Sequence, residues 1–207
     1  MRIGWLVMLA YWTVCALVGR GQGYYDLLAK PQPVETFQIM TLVVTLMVRV
    51  VLNPRYGRFG RRVDWLAIVM YSLMNGVLET FAFLFAYDLG RHLDVESLFG
   101  WHNKNDEMLG CLIGFSIYYV YAGLIHIVVW MRMVFPQHVL HESAPPFHTH
   151  CLPFLTLQSI AWLVLYEATN DVFFICLCHC ITDMGHAWTC AMPYTTWNAN
   201  GAFLLRE

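Results

Sequence analysis

Glu79, His126, His179 and Asp183 each sit inside an apolar run, spread over three separate hydrophobic stretches of the chain. Placing such groups in an apolar interior costs several kcal/mol unless they pair with one another or face a polar cavity, so each is by default a candidate for a site. If three stretches supply one site, they pack together. That requirement limits the folds open to the sequence more than any other feature.

Hydrophobic residues make up 58% of the 207-residue chain and charged residues 13%, against roughly a quarter charged in soluble domains. The composition predicts an integral membrane protein. There is room for about six helical spans of roughly 20 residues joined by short loops, and none for a separate soluble domain. No stretch shows the alternation of a membrane barrel, so an all-α polytopic membrane helix bundle is expected, a single domain over residues 1–207 with membrane lipids as its surroundings. A formal net charge of −2, without a basic patch, argues against a nucleic-acid partner. Oligomeric state is not legible.

The first span is expected over about Ile3–Val18, retained as a helix because no small-residue cleavage site follows it. The second, about Phe37–Leu52, carries Arg49 and follows two prolines that stop any earlier helix. Arg55, Arg58, Arg61 and Arg62 then mark a cytoplasmic loop, which puts both termini of a six-span chain on the same side. The third span, about Trp65–Leu89, holds Ser72, Asn75, Gly76 and Glu79 on one side of a helix, a polar stripe expected to point inward. The fourth, about Leu109–Met133, lines up Ser116, Tyr119, Gly123 and His126 along one flank where a neighbouring helix is expected to approach.

From about Val134 to Pro153 the chain is rich in proline and histidine and is expected to be irregular, a cytoplasmic lid or a re-entrant cap. The fifth span follows from about Phe154 to Tyr166, and Asn170 and Asp171 suit the turn into the sixth, about Val172–Met192. His179, Asp183 and His186 share a face of that last helix. His92 and His102 are expected to be solvated. Cys15, Cys111, Cys176, Cys178, Cys180 and Cys190 lie in apolar stretches, where cysteine is usually a small apolar filler. Cys176 and Cys180 also share a helical face, which leaves metal ligation as a weaker alternative.

A glutamate, a histidine on a second helix, and a histidine followed four residues later by an aspartate on a third are the parts needed to hydrolyse an amide. Structural hydrogen bonding between helices is the competing explanation for any one of them. The runs NGVLETFAFLF, YVYAGLIHIVVW and LYEATNDVFFICLCHCITDMG together resemble the CAAX protease and bacteriocin-processing (CPBP) family of glutamic-type intramembrane proteases. That family's signature is EExxxR, FxxxH, then HxxxN or HxxxD on successive helices. The resemblance covers about residues 66–186. It implies a metal-independent peptidase without cofactor that acts on a membrane-anchored protein or peptide. By the same resemblance Glu79 activates water with His126, while His179 and Asp183 form the oxyanion side.

Thr80 stands where the family places its second glutamate, Leu84 roughly where it places its arginine, and Ala122 where it places phenylalanine. Those departures also fit a catalytically silent relative serving as a membrane scaffold or assembly factor. A membrane di-iron oxygenase is the remaining alternative, prompted by nine histidines that include His138, His141, His148 and His150. No adjacent histidine pair of the kind such enzymes use is present.

Overall fold

The computed structural model describes residues 3–56, 65–93, 106–125 and 147–189. Among them are seven helices and no strand: α1 Ile3–Gly21, α2 Tyr24–Leu28, α3 Thr36–Tyr56, α4 Trp65–Arg91, α5 Asp106–Leu124, α6 Phe147–Thr169 and α7 Val172–Thr189. Each of the six expected spans falls on a long helix, and the short α2 was not foreseen. His126, His102, His138 and His141 lie outside the described residues, as does the side chain of His186.

Local chemistry sets the boundaries. The α1–α2 turn passes through Gly23 at φ 73°, a left-handed conformation that glycine adopts without a steric cost. Before α3, the Glu35 N–H donates to Gln38 Oε1 at 3.1 Å, which is half of a capping box at a helix that two prolines forbid from starting earlier. Between α6 and α7, Asn170 takes φ 53° as the left-handed terminator, and the Asp171 carboxylate caps α7 by accepting from the Phe174 N–H at 3.0 Å. The sequence anticipates this last turn. It misplaces the start of α6, which begins at Phe147 and carries Pro153 in its second turn, so His148 and His150 belong to helix and not to an irregular loop. Pro153 is the seventh residue of α6, past the first four whose N–H groups lack an intrahelical acceptor, so it leaves out one helix hydrogen bond, and α6 continues through it to Thr169.

The helix α4 is the centre of the bundle, with α1, α5 and α7 packed around it, while α3 packs on α6 and α7. Pairings along the helices give their directions. Asn75 meets Asp183 while Thr80 meets His179, so α4 and α7 are antiparallel. Gln38 meets Asp171 while Arg49 meets Thr182, so α3 and α7 are parallel. Trp12 meets Asn75 while Tyr24, just past α1, meets Asp88, so α1 runs with α4.

Close approach depends on glycines at the crossings. A Cβ on Gly76 would lie 2.6 Å from the Cys180 backbone nitrogen, one on Gly90 2.7 Å from the Gly114 Cα, and one on Gly114 2.7 Å from the Tyr87 carbonyl oxygen. On α5, Gly110 and Gly114 make the close approach to α4; of the expected flank, Tyr119 does meet a neighbour, its hydroxyl accepting from Thr156 on α6 at 3.1 Å, while Ser116 and Gly123 take no part. Nothing lies within 4 Å of a Cβ placed at Gly123, and Ser116 is exposed and bonds back to the Leu112 carbonyl.

Buried Trp12, Phe81, Phe83, Leu84, Tyr118, Trp162 and Leu165 form one continuous core around α4. At one end of the bundle Asp88 accepts from the hydroxyls of Tyr24 (2.6 Å) and Tyr166 (2.8 Å), tying α2, α4 and α6 together. Burial and the Asp88 carboxylate push the Tyr24 phenol well above its ordinary range. Beside it, Glu167 accepts from the Tyr87 hydroxyl at 2.7 Å and forms an ion pair with Arg91, Nε to Oε1 2.7 Å.

Polar side chains are concentrated inside: Gln38, Thr41, Thr45, Arg49, Ser72, Asn75 and Glu79 are all buried. Leu6, Leu17, Val43, Val50, Leu66, Met70 and Val120 are among the large apolar side chains on the outside. Two helical stretches are long and apolar enough to cross a membrane, Ile68–Arg91 with mean hydropathy 1.6 and Glu107–Leu124 with mean hydropathy 1.3. Shorter apolar helices cover Leu6–Gly21, Thr36–Val50 and Val172–Gly185.

Replacing Gly114 by valine forces α5 away from Tyr87 and is expected to destabilise the bundle by about 1–3 kcal/mol, the usual range for overpacking. Thermal unfolding of the purified protein in detergent checks this, with Gly123→Ala as the control that leaves the midpoint unchanged.

Candidate functional site

Midway along α4, residues 75, 76, 79 and 80 form one face turned toward α7, because positions three and four apart lie above one another on a helix. On α7 the residues that meet this face are 179, 180 and 183. The contact at Gly76 and Cys180 lets the two backbones come close enough for short side chains to meet across them.

Three of the four residues singled out in the sequence converge here. One oxygen or nitrogen atom from each of Glu79, His179 and Asp183 lies within 4.8 Å of the other two. His179 Nε2 is 3.5 Å from Glu79 Oε2 and 3.7 Å from Asp183 Oδ2. The fourth residue, His126, lies outside the described residues. Glu79 is 1% exposed and His179 3%, whereas the Asp183 side chain keeps 13%, so the group reaches the surface on the Asp183 side.

Asn75 holds the two carboxylates together. Its amide nitrogen donates to Glu79 Oε2 at 2.8 Å and to Asp183 Oδ2 at 2.9 Å, and its carbonyl oxygen accepts from Trp12 Nε1 at 2.9 Å. The amide orientation follows from its partners, since two acceptors need the NH2 group and an indole N–H needs the oxygen. Tyr11 donates to the other glutamate oxygen, Oε1, at 3.1 Å and accepts from the Tyr121 hydroxyl at 3.3 Å. Thus α1 and α5 also fix the position of a carboxylate carried by α4.

Thr80 sets the tautomer of His179. Its hydroxyl proton goes to the Gly76 carbonyl, 2.6 Å away, and its oxygen lies 2.9 Å from His179 Nδ1. A hydroxyl has one proton, so toward the ring it acts only as an acceptor. Nδ1 therefore carries hydrogen, and a neutral His179 presents the Nε2 lone pair to the two carboxylates. The ring is clamped by stacking on Phe83 (5.7 Å between centroids, 11° between planes) and by Trp162 at 4.9 Å. In the sequence Thr80 reads as a loss from the family motif. In the structure it is the residue that orients His179, and Leu84 is packed in the core.

Arg49 lies beside the site, its Nη1 donating to the Thr182 carbonyl at 3.3 Å. It approaches the site from α3, not from the α4 position where the resemblance places an arginine. The described cysteines are free thiols, and none joins the Glu79, His179 and Asp183 group. Tyr11, Trp12 and Thr80 were not among the sequence candidates. Glu79 and His179 betray themselves as charges in apolar runs, but a tyrosine, a tryptophan or a threonine in a membrane-like helix carries no such signal.

Asn75→Leu keeps approximate size and removes every one of these amide contacts. A loss of about 1–3 kcal/mol for each buried group left without its partner is the usual scale, so a large fall in thermal midpoint and in protein abundance is expected, with Ser72→Ala as a milder comparison on the same face.

Comparison with protein-family models, with curated proteins and with solved structures gives no match.

Proposed function

We propose that the chain is a multi-pass integral membrane protein whose helix bundle houses a hydrolytic centre, an intramembrane peptidase of the glutamic type acting on a membrane-associated protein or peptide. The convergence of Glu79, His179 and Asp183 between α4 and α7 is the observation that carries this reading. The multi-pass part is supported by polar side chains gathered inside and apolar ones outside, the inverse of what water favours. Among the helices whose directions the pairings give, α1 and α4 run one way and α3 and α7 the other.

In this reading Glu79 takes a proton from a water molecule whose oxygen adds to the scissile carbonyl. A 3.1 Å hydrogen bond from Tyr11 and a 2.8 Å bond from Asn75 hold that carboxylate in one orientation before the reaction. His179, its ring fixed through Nδ1, takes that proton from Glu79 at Nε2 and delivers it to the leaving amine as the carbon–nitrogen bond breaks, which returns both side chains to their starting states. Asp183, at the open side of the group, faces the arriving chain. His126 is carried into this scheme by the family resemblance. A scaffold without catalysis is the second reading, favoured by the completeness of the Asn75 hydrogen bonds, which would also serve to lock helices together.

The test uses purified protein in liposomes with a panel of membrane-anchored fluorogenic peptides, cleavage being read by mass spectrometry. Wild type is expected to cut at least one peptide, and Glu79→Ala to lower the rate by about 100-fold or more, while His92→Ala, exposed beyond α4, retains it. Equal cleavage by wild type and Glu79→Ala at equal abundance sinks the peptidase and leaves the scaffold.

A further inference from the structure

We propose that Glu79, His179 and Asp183 form the protein's own binding site for one divalent transition-metal ion, of the Zn2+, Mn2+ or Fe2+ class. This goes beyond the hydrolytic reading and departs from the metal-free centre that the sequence leads one to expect, because it is a statement about binding that holds whether or not a peptide is cut.

The spacing is the first ground. If His179 were an imidazolium paired with these carboxylates, charge-assisted hydrogen bonds of about 2.7–2.9 Å would be expected. The observed 3.5 and 3.7 Å are longer. A tetrahedral ion with bonds of about 2.1 Å sets its ligands about 3.4 Å apart, close to what is found. The donor atoms of all three residues lie within 4.8 Å of one another.

The surrounding shell is the second ground, and it is independent of that spacing. Histidines that bind metals usually give their other ring N–H to an acceptor, and ligating carboxylates are themselves hydrogen-bonded. Here the Thr80 oxygen accepts a hydrogen bond from Nδ1–H, which leaves the Nε2 lone pair for a ligand. Asn75 donates to one oxygen of each carboxylate, and Tyr11 donates to the second oxygen of Glu79. Every ligand is oriented by a group that is not itself a ligand, and the ring is stacked on Phe83. Such an arrangement is more than helix adhesion requires, for which one of these contacts would serve.

The donor chemistry is the third. One nitrogen and two oxygen donors suit borderline to hard ions and not copper(I), which prefers sulfur. The thiols of Cys176, Cys178 and Cys180 are left out of the group.

The experiment uses full-length protein in detergent, stripped with chelator and then offered Zn2+, Mn2+ or Co2+ separately. Excess ion is removed by gel filtration and the retained metal is measured by mass spectrometry. About one equivalent of at least one ion is expected to remain, with visible absorption bands for Co2+ and a higher thermal midpoint for the loaded protein. Glu79→Gln and Asp183→Asn are expected to lose retention. Thr80→Val is expected to weaken affinity 10- to 100-fold, the usual effect of removing an outer-shell partner, and Thr80→Ser to restore it.

Retention below about a tenth of an equivalent for all three ions overturns the site, as does equal retention by wild type and Glu79→Gln. If a ligand variant fails to fold, the stripped wild type decides alone, and a midpoint unmoved by saturating ion overturns the proposal. Loaded metal without any peptide cleavage removes the hydrolytic reading only, and cleavage by a protein that retains none of the three ions removes the metal site only.

Discussion

A single asparagine amide shared between two buried carboxylates organises the centre of this protein. Asn75 joins α4 to α7 through Asp183, reaches α1 through Trp12, and holds Glu79 on its own helix. Without a shared donor, two acidic groups so close in an apolar interior would repel, and the helices carrying them would have no reason to meet there. The packing around it is arranged to permit this meeting. Gly76 removes the side chain that would hold α7 away, and its carbonyl takes the Thr80 proton that decides how His179 faces the group.

The bundle has two polar layers, and they differ in kind. At the end near α2, Asp88 accepts from two tyrosines, and Glu167 accepts from Tyr87 and pairs with Arg91. Each carboxylate there is tied to two partners, and the layer reads as a structural tie. In the middle layer His179 Nε2 stands 3.5 and 3.7 Å from the two carboxylates, longer than hydrogen bonds, while shorter bonds join those carboxylates to Asn75 and Tyr11. That contrast is why function is assigned to the middle layer. Glu79 and Asp88 lie nine positions apart on one helix, about 14 Å at 1.5 Å per residue, so the two layers share α4 without touching.

Much of the architecture was legible because helices are local. The polar stripe Ser72, Asn75, Gly76 and Glu79 follows from a repeat of 3.6 residues, and in the structure all four positions are buried. The Asn170 and Asp171 turn follows from their tolerance of left-handed backbone and their capping oxygens. Errors arose where the deciding contact is between helices. Ser116 and Gly123 look like contact positions beside Tyr119, yet Gly110 and Gly114 make the close approach to α4, because which of several small-residue faces is used depends on the partner surface. The start of α6 is not legible because proline and histidine favour irregular chain locally, whereas α6 runs through Pro153 and packs on α3.

The sequence by itself determined the class of the fold, the approximate helices, and the identity of the costly groups Glu79, His179 and Asp183, since hydrophobic pattern and the cost of burying charge are properties of residues in order. Only the tertiary structure decided that these three meet, that Asn75 and Tyr11 fix the carboxylates, and that Thr80, a departure from the motif on paper, sets the His179 tautomer. The physical reason is that a hydrogen bond between helices depends on crossing position and rotation. Those are set by how whole surfaces pack, and no local stretch of sequence encodes them.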